Sequence, residues 1–365
     1  MTASVDQDLR WLDSAVRTAT PWLGTTAENP TVGALVVDPV RQILLGRGVT
    51  ARGGRPHAET QALAQAGAAA AGATLYVTLE PCNHWGRTPP CSDAVIRAGI
   101  ARVVIGITDP DPRTAGAGVA KLRAAGIAVE VLDHGPSARL HEGHVSRKQR
   151  RRPFVTLKLA VSADGMIGKL GKANLPITGS LAQRWTHMQR ALSDGVMVGA
   201  RTARIDDPRL SVRLPGLEGR RPLRIVLAGA EPLPADLTLF AKDSAQPTLV
   251  IAQNPSTLSL PDHVQVAALP SVGHERSLVS ALEMLSSRGV ARLLVEGGAR
   301  LAEALLVEGL ADRIHLLFSP VTVGEGGVAA PGGWALVDRI AAAGFAEVDR
   351  RALGDDMLRT FEKGA

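Results

Sequence analysis

One histidine, one glutamate and two cysteines constrain this chain more than anything else in it. His57 and Glu59 sit two residues apart, and Cys82 follows Pro81 with Cys91 eight intervening residues further on. An imidazole and two thiolates suit tetrahedral Zn²⁺ at three positions and leave a fourth open, which distinguishes a catalytic zinc site from a closed structural one. Glu59 is then free to carry a proton between an attacking water and a leaving amine, the task of the non-ligating glutamate in zinc deaminases. The order histidine, glutamate, cysteine, cysteine calls for a fold that presents two helix starts to one point. The competing readings are two small buried cysteines and a Cys82–Cys91 disulfide. The disulfide is disfavoured because the N-terminus, Met1 to Asp8, has no basic start followed by an apolar core, and an intracellular protein is expected.

The spacing of the cysteines departs from the short P-C-x-x-C of zinc deaminases. Between them lie Asn83, His84, Trp85, Gly86, Arg87, Thr88, Pro89 and Pro90. The glycine and the paired prolines favour a defined loop over a continuing helix, so the loop can return Cys91 to the metal. His84 and Arg87 on it are placed to meet an anionic substrate.

At 365 residues the chain is long enough for about two domains. Charges, glycines and prolines interrupt every apolar stretch well short of the roughly 20 residues that cross a bilayer. The expectation is a soluble, cytoplasmic protein with no membrane partner. The net charge of +6 invites a nucleic-acid reading, but the arginines are spread out and aromatics make up only 3% of the chain, which leaves no stacking platform. The single dense cluster, Arg147 to Arg152, is followed by Pro153 and lacks apolar periodicity, so it reads as an exposed interdomain connection. No nucleic-acid partner is expected, and a basic balance also suits a phosphorylated small substrate.

Apolar spacing predicts a helix over Leu9 to Ala19, a strand pair at Val32 to Val37 and Gln42 to Gly46, and an alanine-rich helix from His57 to Ala71. Further strands are expected at Thr74 to Leu79, Arg102 to Ile107 and Ile127 to Leu132, with helices opening near Cys91 and over Val119 to Ala125, a three-layer α/β pattern. Both cysteines then flank a helix start, where the dipole favours thiolates. From Phe154 the style repeats without the sequence: strands Phe154 to Ser162, Gly195 to Gly199, Leu223 to Leu227 and Thr248 to Ala252, and helices Ser180 to Leu192 and Leu278 to Ser287. Strand Arg292 to Glu296 runs into Gly297-Gly298 and a helix from Leu301 to Glu308, a turn whose bare backbone N–H groups can approach a pyrophosphate.

These residues resemble a known family. Thr78 to Cys91, Asn29-Pro30-Thr31-Val32-Gly33-Ala34 and Pro56-His57-Ala58-Glu59 are similar to the deaminase motifs of the bifunctional riboflavin-biosynthesis deaminase/reductases. Leu157-Lys158-Leu159-Ala160, Ser162-Ala163-Asp164-Gly165, Asp206-Asp207-Pro208 and Val295-Glu296-Gly297-Gly298 extend the match over nearly the whole chain. The resemblance implies a cytidine-deaminase-like three-layer α/β/α domain over residues 1–147 and a dihydrofolate-reductase-like α/β domain over 153–365. It implies hydrolysis of the exocyclic amine of 2,5-diamino-6-(5-phosphoribosylamino)pyrimidin-4-one, then NADPH-dependent reduction of the ribosyl group to ribityl. Matched position by position, it assigns His57, Cys82 and Cys91 to zinc, Glu59 to proton transfer, and Asn29, His84 and Arg87 to the deaminase substrate. It assigns Ala160, Thr202, Asp206 and the turn Gly298, Ala299, Arg300, Leu301, Ala302, Glu303 and Ala304 to NADPH. Asn174, Arg190, Leu210, Arg213 and Glu296 fall at reductase substrate positions. A homodimer is compatible with the family.

The chain departs from the family pattern at Thr50, where a histidine is common, and at Asp111, where an asparagine is. In the reductase half, Gly171 to Thr178 has Asn174 in place of a serine and Pro176 in place of a tryptophan, and Gly229 replaces a serine. Those changes predict rearranged cofactor contacts, and they keep open an alternative in which the reductase half is inactive or differently specific. A zinc deaminase acting on a nucleic-acid base is the alternative of another class, supported by the basic run alone.

Overall fold

The computed structural model describes residues 5–112, 114–172, 175–228, 232–242, 246–269 and 277–364. The chain divides into two compact units, Met1–Arg152 and Pro153–Ala365.

The first unit is built on strands β1 (Gly33–Val37), β2 (Leu44–Val49), β3 (Thr74–Val77), β4 (Arg102–Ile105) and β5 (Ala128–Val131), in the order β2-β1-β3-β4-β5. β1 runs antiparallel to β2 and β3, and β3, β4 and β5 are parallel. Around the sheet lie helices α1 (Val5–Ala19), α2 (Ala58–Ala66), α3 (Cys91–Arg97), α4 (Ala117–Ala124) and α5 (Gly135–Arg150). Alternation along the strands splits the core. Leu35, Val37, Tyr76 and Val104 pack on Leu12 and Ala15 of α1, while Val36, Leu75, Val77 and Ile105 pack with Ala58 and Ala62 of α2 and Val95 of α3 on the opposite face. α1 is tied to the sheet by a buried charge: Asp8 accepts two hydrogen bonds from Arg102, at 2.8 and 2.7 Å, and a third from the Tyr76 hydroxyl at 2.8 Å. A buried carboxylate is tolerable only with such partners.

Two glycines set the position of α2. A Cβ at Gly46 or Gly48 would lie 2.2 Å from Ala62 O or 2.0 Å from Ala58 O, so the helix backbone rests directly on β2. Two residues apart, the glycines share one face of the strand. Alanines at 58, 62 and 66 are the helix's side of that approach.

The second unit contains β6 (Phe154–Val161), β7 (Met166–Lys169), β8 (Gly195–Gly199), β9 (Leu223–Leu227), β10 (Thr248–Ala252), β11 (Gln265–Ala268), β12 (Arg292–Val295), β13 (Arg313–Phe318), β14 (Gly327–Ala329), β15 (Phe345–Leu353) and β16 (Asp356–Lys363). Nine of them form one sheet in the order β11-β10-β9-β8-β12-β6-β13-β16-β15; β7 and β14 make a separate ribbon. The sheet is parallel from β11 to β13, and β16 and β15 add antiparallel at the end. Helices α6 (Ser180–Ala191), α7 (Ala200–Asp206), α8 (Ser277–Ser287), α9 (Ala299–Val307) and α10 (Leu336–Ala342) complete it. One face is sealed by Leu282 and Leu285 of α8, Leu301 and Leu305 of α9 and Ile340 of α10, and the other by Ala203 of α7 with Leu237, Leu239 and Phe240.

The strands and helices expected from periodicity are present with shifted ends: α1 begins at Val5 rather than Leu9, β2 runs Leu44–Val49 rather than Gln42–Gly46, and α2 stops at Ala66 rather than Ala71. The basic run differs from expectation. Its first four residues, Arg147 to Arg150, close helix α5, and Arg147 and Lys148 are half-buried, so only its end has the character of a free connection. Asn174 and Gly229 lie outside the described residues.

Candidate active sites

His57 is the residue immediately before α2, with extended backbone, and Cys91 is the first residue of α3. The helix starts converge. His57 Nδ1 lies 3.3 Å from Cys91 Sγ and 3.6 Å from Cys82 Sγ, and the three donor atoms all lie within 4.8 Å of one another. Both cysteines are free thiols, which removes the disulfide reading. The excursion between them is pinned rather than loose: Ser92 N donates to Cys82 O at 3.2 Å, Ser92 Oγ to Asn83 Oδ1 at 2.9 Å, and Arg55 Nη1 to Thr88 Oγ1 at 2.7 Å.

Electrostatics at the cluster ask for a cation. A hydrogen bond from Cys91, and then His57, bring the Cys82 thiol down to about 4. Cys91 moves the other way, raised by that same bond to Cys82, by burial and by Glu59. Beyond any help from the helix starts, the two buried sulfurs oppose each other's ionisation. A divalent ion among them would offset that opposition, and two sulfurs with one imidazole are donors suited to zinc. Glu59 is 3% exposed, and burial, with the Cys82 charge adding, pushes its carboxyl up to about 7.

His57, Glu59 and Cys82, with Cys91 buried beside them, line a cleft of about 430 Å³, within the range that small ligands occupy. Asn29, His84 and Arg87 all line it, and so do Thr50 and Asp111, the two positions that depart from the family pattern. Thr50 Oγ1 accepts from Val32 N at 3.0 Å, and Asp111 pairs with Lys148 at 2.8 Å. Spacing gave no sign of several other cleft residues. Glu80 accepts the backbone N–H groups of Asp109, Gly116 and Val119 at 3.2, 2.9 and 3.0 Å, which anchors the start of α4. Asp109 holds His144 at 2.9 Å. Arg147 and Lys148 come from α5, a helix without apolar periodicity.

The second unit has its cleft at the carboxyl ends of β6, β8 and β12, where open parallel sheets bind ligands. A cavity of about 260 Å³ there is lined by Lys158, Ala160, Thr202, Asp206, Arg190, Leu210, Glu296 and Gly298. An adjoining one of about 120 Å³ is lined by Thr202, Asp206, Gly298, Ala299, Arg300 and Leu301. The glycine turn is required by space: a Cβ at Gly298 would lie 2.8 Å from Thr202 Oγ1. The rest of that assigned run points elsewhere. Ala302 is buried in the core, Glu303 pairs with Arg339, and Ala304 packs against the core. Arg190 grips Glu296 through two hydrogen bonds, 2.5 and 2.9 Å, and gives a third to Ser211 O at 3.0 Å. Burial alone would raise Glu296, but Arg190 brings it below the usual glutamate range. Arg213 lies outside the cavity lining and is bonded to Ser211 Oγ at 3.2 Å. Leu175, rather than the exposed Pro176, supplies the apolar wall. The residue that sequence reasoning passed over is Lys158. Burial lowers its ammonium pKa, with Glu296 opposing and Arg190 adding. Its signal was available: along β6, Val155, Leu157, Leu159 and Val161 face the core, so Lys158 is the charged residue of the other face.

Fold and sites together define a two-unit protein, a zinc-type hydrolytic deaminase and a nucleotide-cleft reductase on one chain. Residues 5–107 match the cytidine and deoxycytidylate deaminase zinc-binding region, and residues 153–353 match the RibD C-terminal domain. The riboflavin biosynthesis protein RibD of Aquifex aeolicus is 40% identical over 87% of this chain and 88% of its own, and that of Synechocystis is 37% identical over 93% and 91%. Acinetobacter baumannii RibD, form 1, superposes with a TM-score of 0.87 at 32% identity, covering 99% of this chain and 100% of that one. A diaminohydroxyphosphoribosylaminopyrimidine deaminase/5-amino-6-(5-phosphoribosylamino)uracil reductase from Thermotoga maritima gives a TM-score of 0.84 at 31% identity, covering 98% and 99%. The chain belongs to the RibD family of riboflavin biosynthesis, and its two units are the deaminase and the reductase.

Proposed function

We propose that the first unit hydrolyses the exocyclic amine of 2,5-diamino-6-(5-phosphoribosylamino)pyrimidin-4-one and that the second reduces the product's ribosyl group to ribityl with NADPH. The observation that carries the deaminase step is the convergence of His57, Cys82 and Cys91 within 4.8 Å beside the buried Glu59. Those three side chains would hold zinc, which would supply a Lewis acid able to activate water near neutral pH. Glu59 carries the proton from the attacking water to the departing amine. Burial raises its carboxyl above the usual glutamate range, the direction a proton carrier at neutral pH needs. Asn29, His84 and Arg87 orient the pyrimidine end.

For the reductase, the turn at Gly298 with Thr202 and Asp206 leaves bare backbone beside the cleft, the kind of cradle a nucleotide pyrophosphate uses. NADPH supplies the hydride. Arg190 is largely committed to Glu296 and Ser211 O, so Arg213 is the freer cation for the substrate phosphate. Lys158 and Glu296 face the same cleft and are placed to hydrogen-bond the ribosyl hydroxyls.

The test is to incubate the zinc-loaded protein with the phosphoribosylaminopyrimidine, with and without NADPH. Ammonia release without NADPH, followed on its addition by loss of NADPH absorbance in proportion to product, is the expected result. Deamination with no NADPH oxidation and no NADPH binding by fluorescence would leave only the deaminase.

A further inference from the structure

The chemistry so far does not use the basic run that opens at Arg147. Its first two residues lie in the last turn of α5 and line the zinc-type cleft. Arg147 Nη1 donates to Glu28 O at 2.8 Å, which fixes the guanidinium at the cleft wall and leaves its other N–H groups without a protein partner among the described residues. Lys148 spends one of its three donors on Asp111. Three of the acids that line the cleft are already engaged: Glu80 by backbone N–H groups, Asp109 by His144, and Asp111 by Lys148. Of the cations that line the cleft, Arg55 is bonded to Thr88 at 2.7 Å, Arg87 sits on the loop after Cys82, and Arg147 and Lys148 stand together on α5. That loop carries a sulfur of the cluster, so it belongs to the end where a base must react. α5 carries no such ligand.

We propose that Arg147 and Lys148 form the anion-holding arm of the deaminase cleft and take the 5′-phosphate of the substrate while the base sits at the His57–Cys82–Cys91 cluster. The proposal rests on the deaminase reading of that cluster. The carbonyls at the C-terminus of α5 oppose an anion, so on this element the attraction comes from the two side chains and not from the helix dipole. A guanidinium and an ammonium also divide the work well, one as a planar fork and the other as a point charge. The arm makes the cleft selective for phosphorylated over unphosphorylated nucleosides.

The test compares deamination of the phosphorylated substrate with that of its phosphatase-treated nucleoside, using the full zinc-loaded chain. Arg147→Ala is one variant. Lys148→Ala would remove an ion-pair partner from Asp111, which is 4% exposed, so the second is the double change Asp111→Asn with Lys148→Met. In each, the preference for the phosphorylated compound in kcat/KM should fall roughly tenfold or more, mostly through KM, as expected for loss of a charge-assisted hydrogen bond. Ribose 5-phosphate should lose potency as a competitive inhibitor in parallel, and Lys148→Arg should retain the preference. Variants of parental zinc content that keep the parental preference, or slow both compounds equally, overturn the arm alone. A parent that deaminates neither compound overturns the deaminase reading and the arm with it.

Discussion

Glu59 is held where a carboxylate is costly, buried beside a sulfur that carries charge. Its replacement by glutamine keeps shape and removes the titrating oxygen. Glu59→Gln should bind zinc as the parent does, measured by metal analysis, while deamination falls by roughly 10²-fold or more, the usual worth of a positioned proton carrier. Deamination at the parental rate would exclude the assignment. In the second unit, Arg190→Met should leave Glu296 buried against Lys158 alone. Removing one partner of a buried pair costs about 3–5 kcal/mol, and Lys158 should hold the loss to the lower end, read as a lowered urea midpoint for that unit. The contrast between these residues explains what the sequence could tell. Glu59 is legible because its partner His57 is two residues away and local spacing encodes the pair. Arg190 and Glu296 are 106 residues apart, and Asp109 and His144 are 35 apart. Such pairs exist only after the sheet has formed, and no local pattern announces them.

The elements divide by the same logic. Strands buried on both faces, such as β1 and β10, stand out as apolar runs, and α9 stands out by its leucines. α5 did not, because the face it buries is Ser137, His141, Gly143, His144 and Ser146 with a single leucine, Leu140. β15 was equally silent: it is an edge strand whose residues are mostly exposed, so neither face carries an apolar alternation. The seating of α2 on β2 is an element-scale feature with a sharp consequence. Gly48→Ala would place a Cβ 2.0 Å from Ala58 O, against backbone that cannot yield without moving α2 and with it His57 and Glu59. Overpacking of this kind costs about 1–3 kcal/mol. Thermal unfolding should show that loss together with weaker zinc retention against a chelator. Gly135→Ala, at a helix start with nothing within 4 Å, is the control and should leave both unchanged. Equal effects from the two substitutions would show that the close approach does not position the zinc ligands.

For the whole molecule, acid is the condition that both units meet in the same way. Each unit buries histidines that stay neutral when folded. In the first, burial brings His141 down to about 3 and lowers His134. In the second, burial brings His315 down to about 3 and His187 to about 4, with neighbouring arginines adding to both. An unfolded histidine takes up its proton near 6.5, so below that pH the unfolded chain binds protons that the folded chain refuses, and stability falls as pH drops. The loss begins near pH 6.5 and continues to the folded values near 3 to 4. At pH 5 a fully buried histidine has forfeited about 2 kcal/mol relative to pH 8. His141 and His315 are the cleanest cases, 1% and 7% exposed and remote in sequence from the zinc ligands. Urea midpoints measured from pH 8 to 5 should therefore decline for both units. His141→Gln should flatten the decline of the first unit only, and His315→Gln that of the second only, because a glutamine has no proton to gain on unfolding. Slopes that survive both substitutions would place the acid sensitivity in the zinc ligands or the carboxylate pairs instead, and metal analysis at each pH would separate those two.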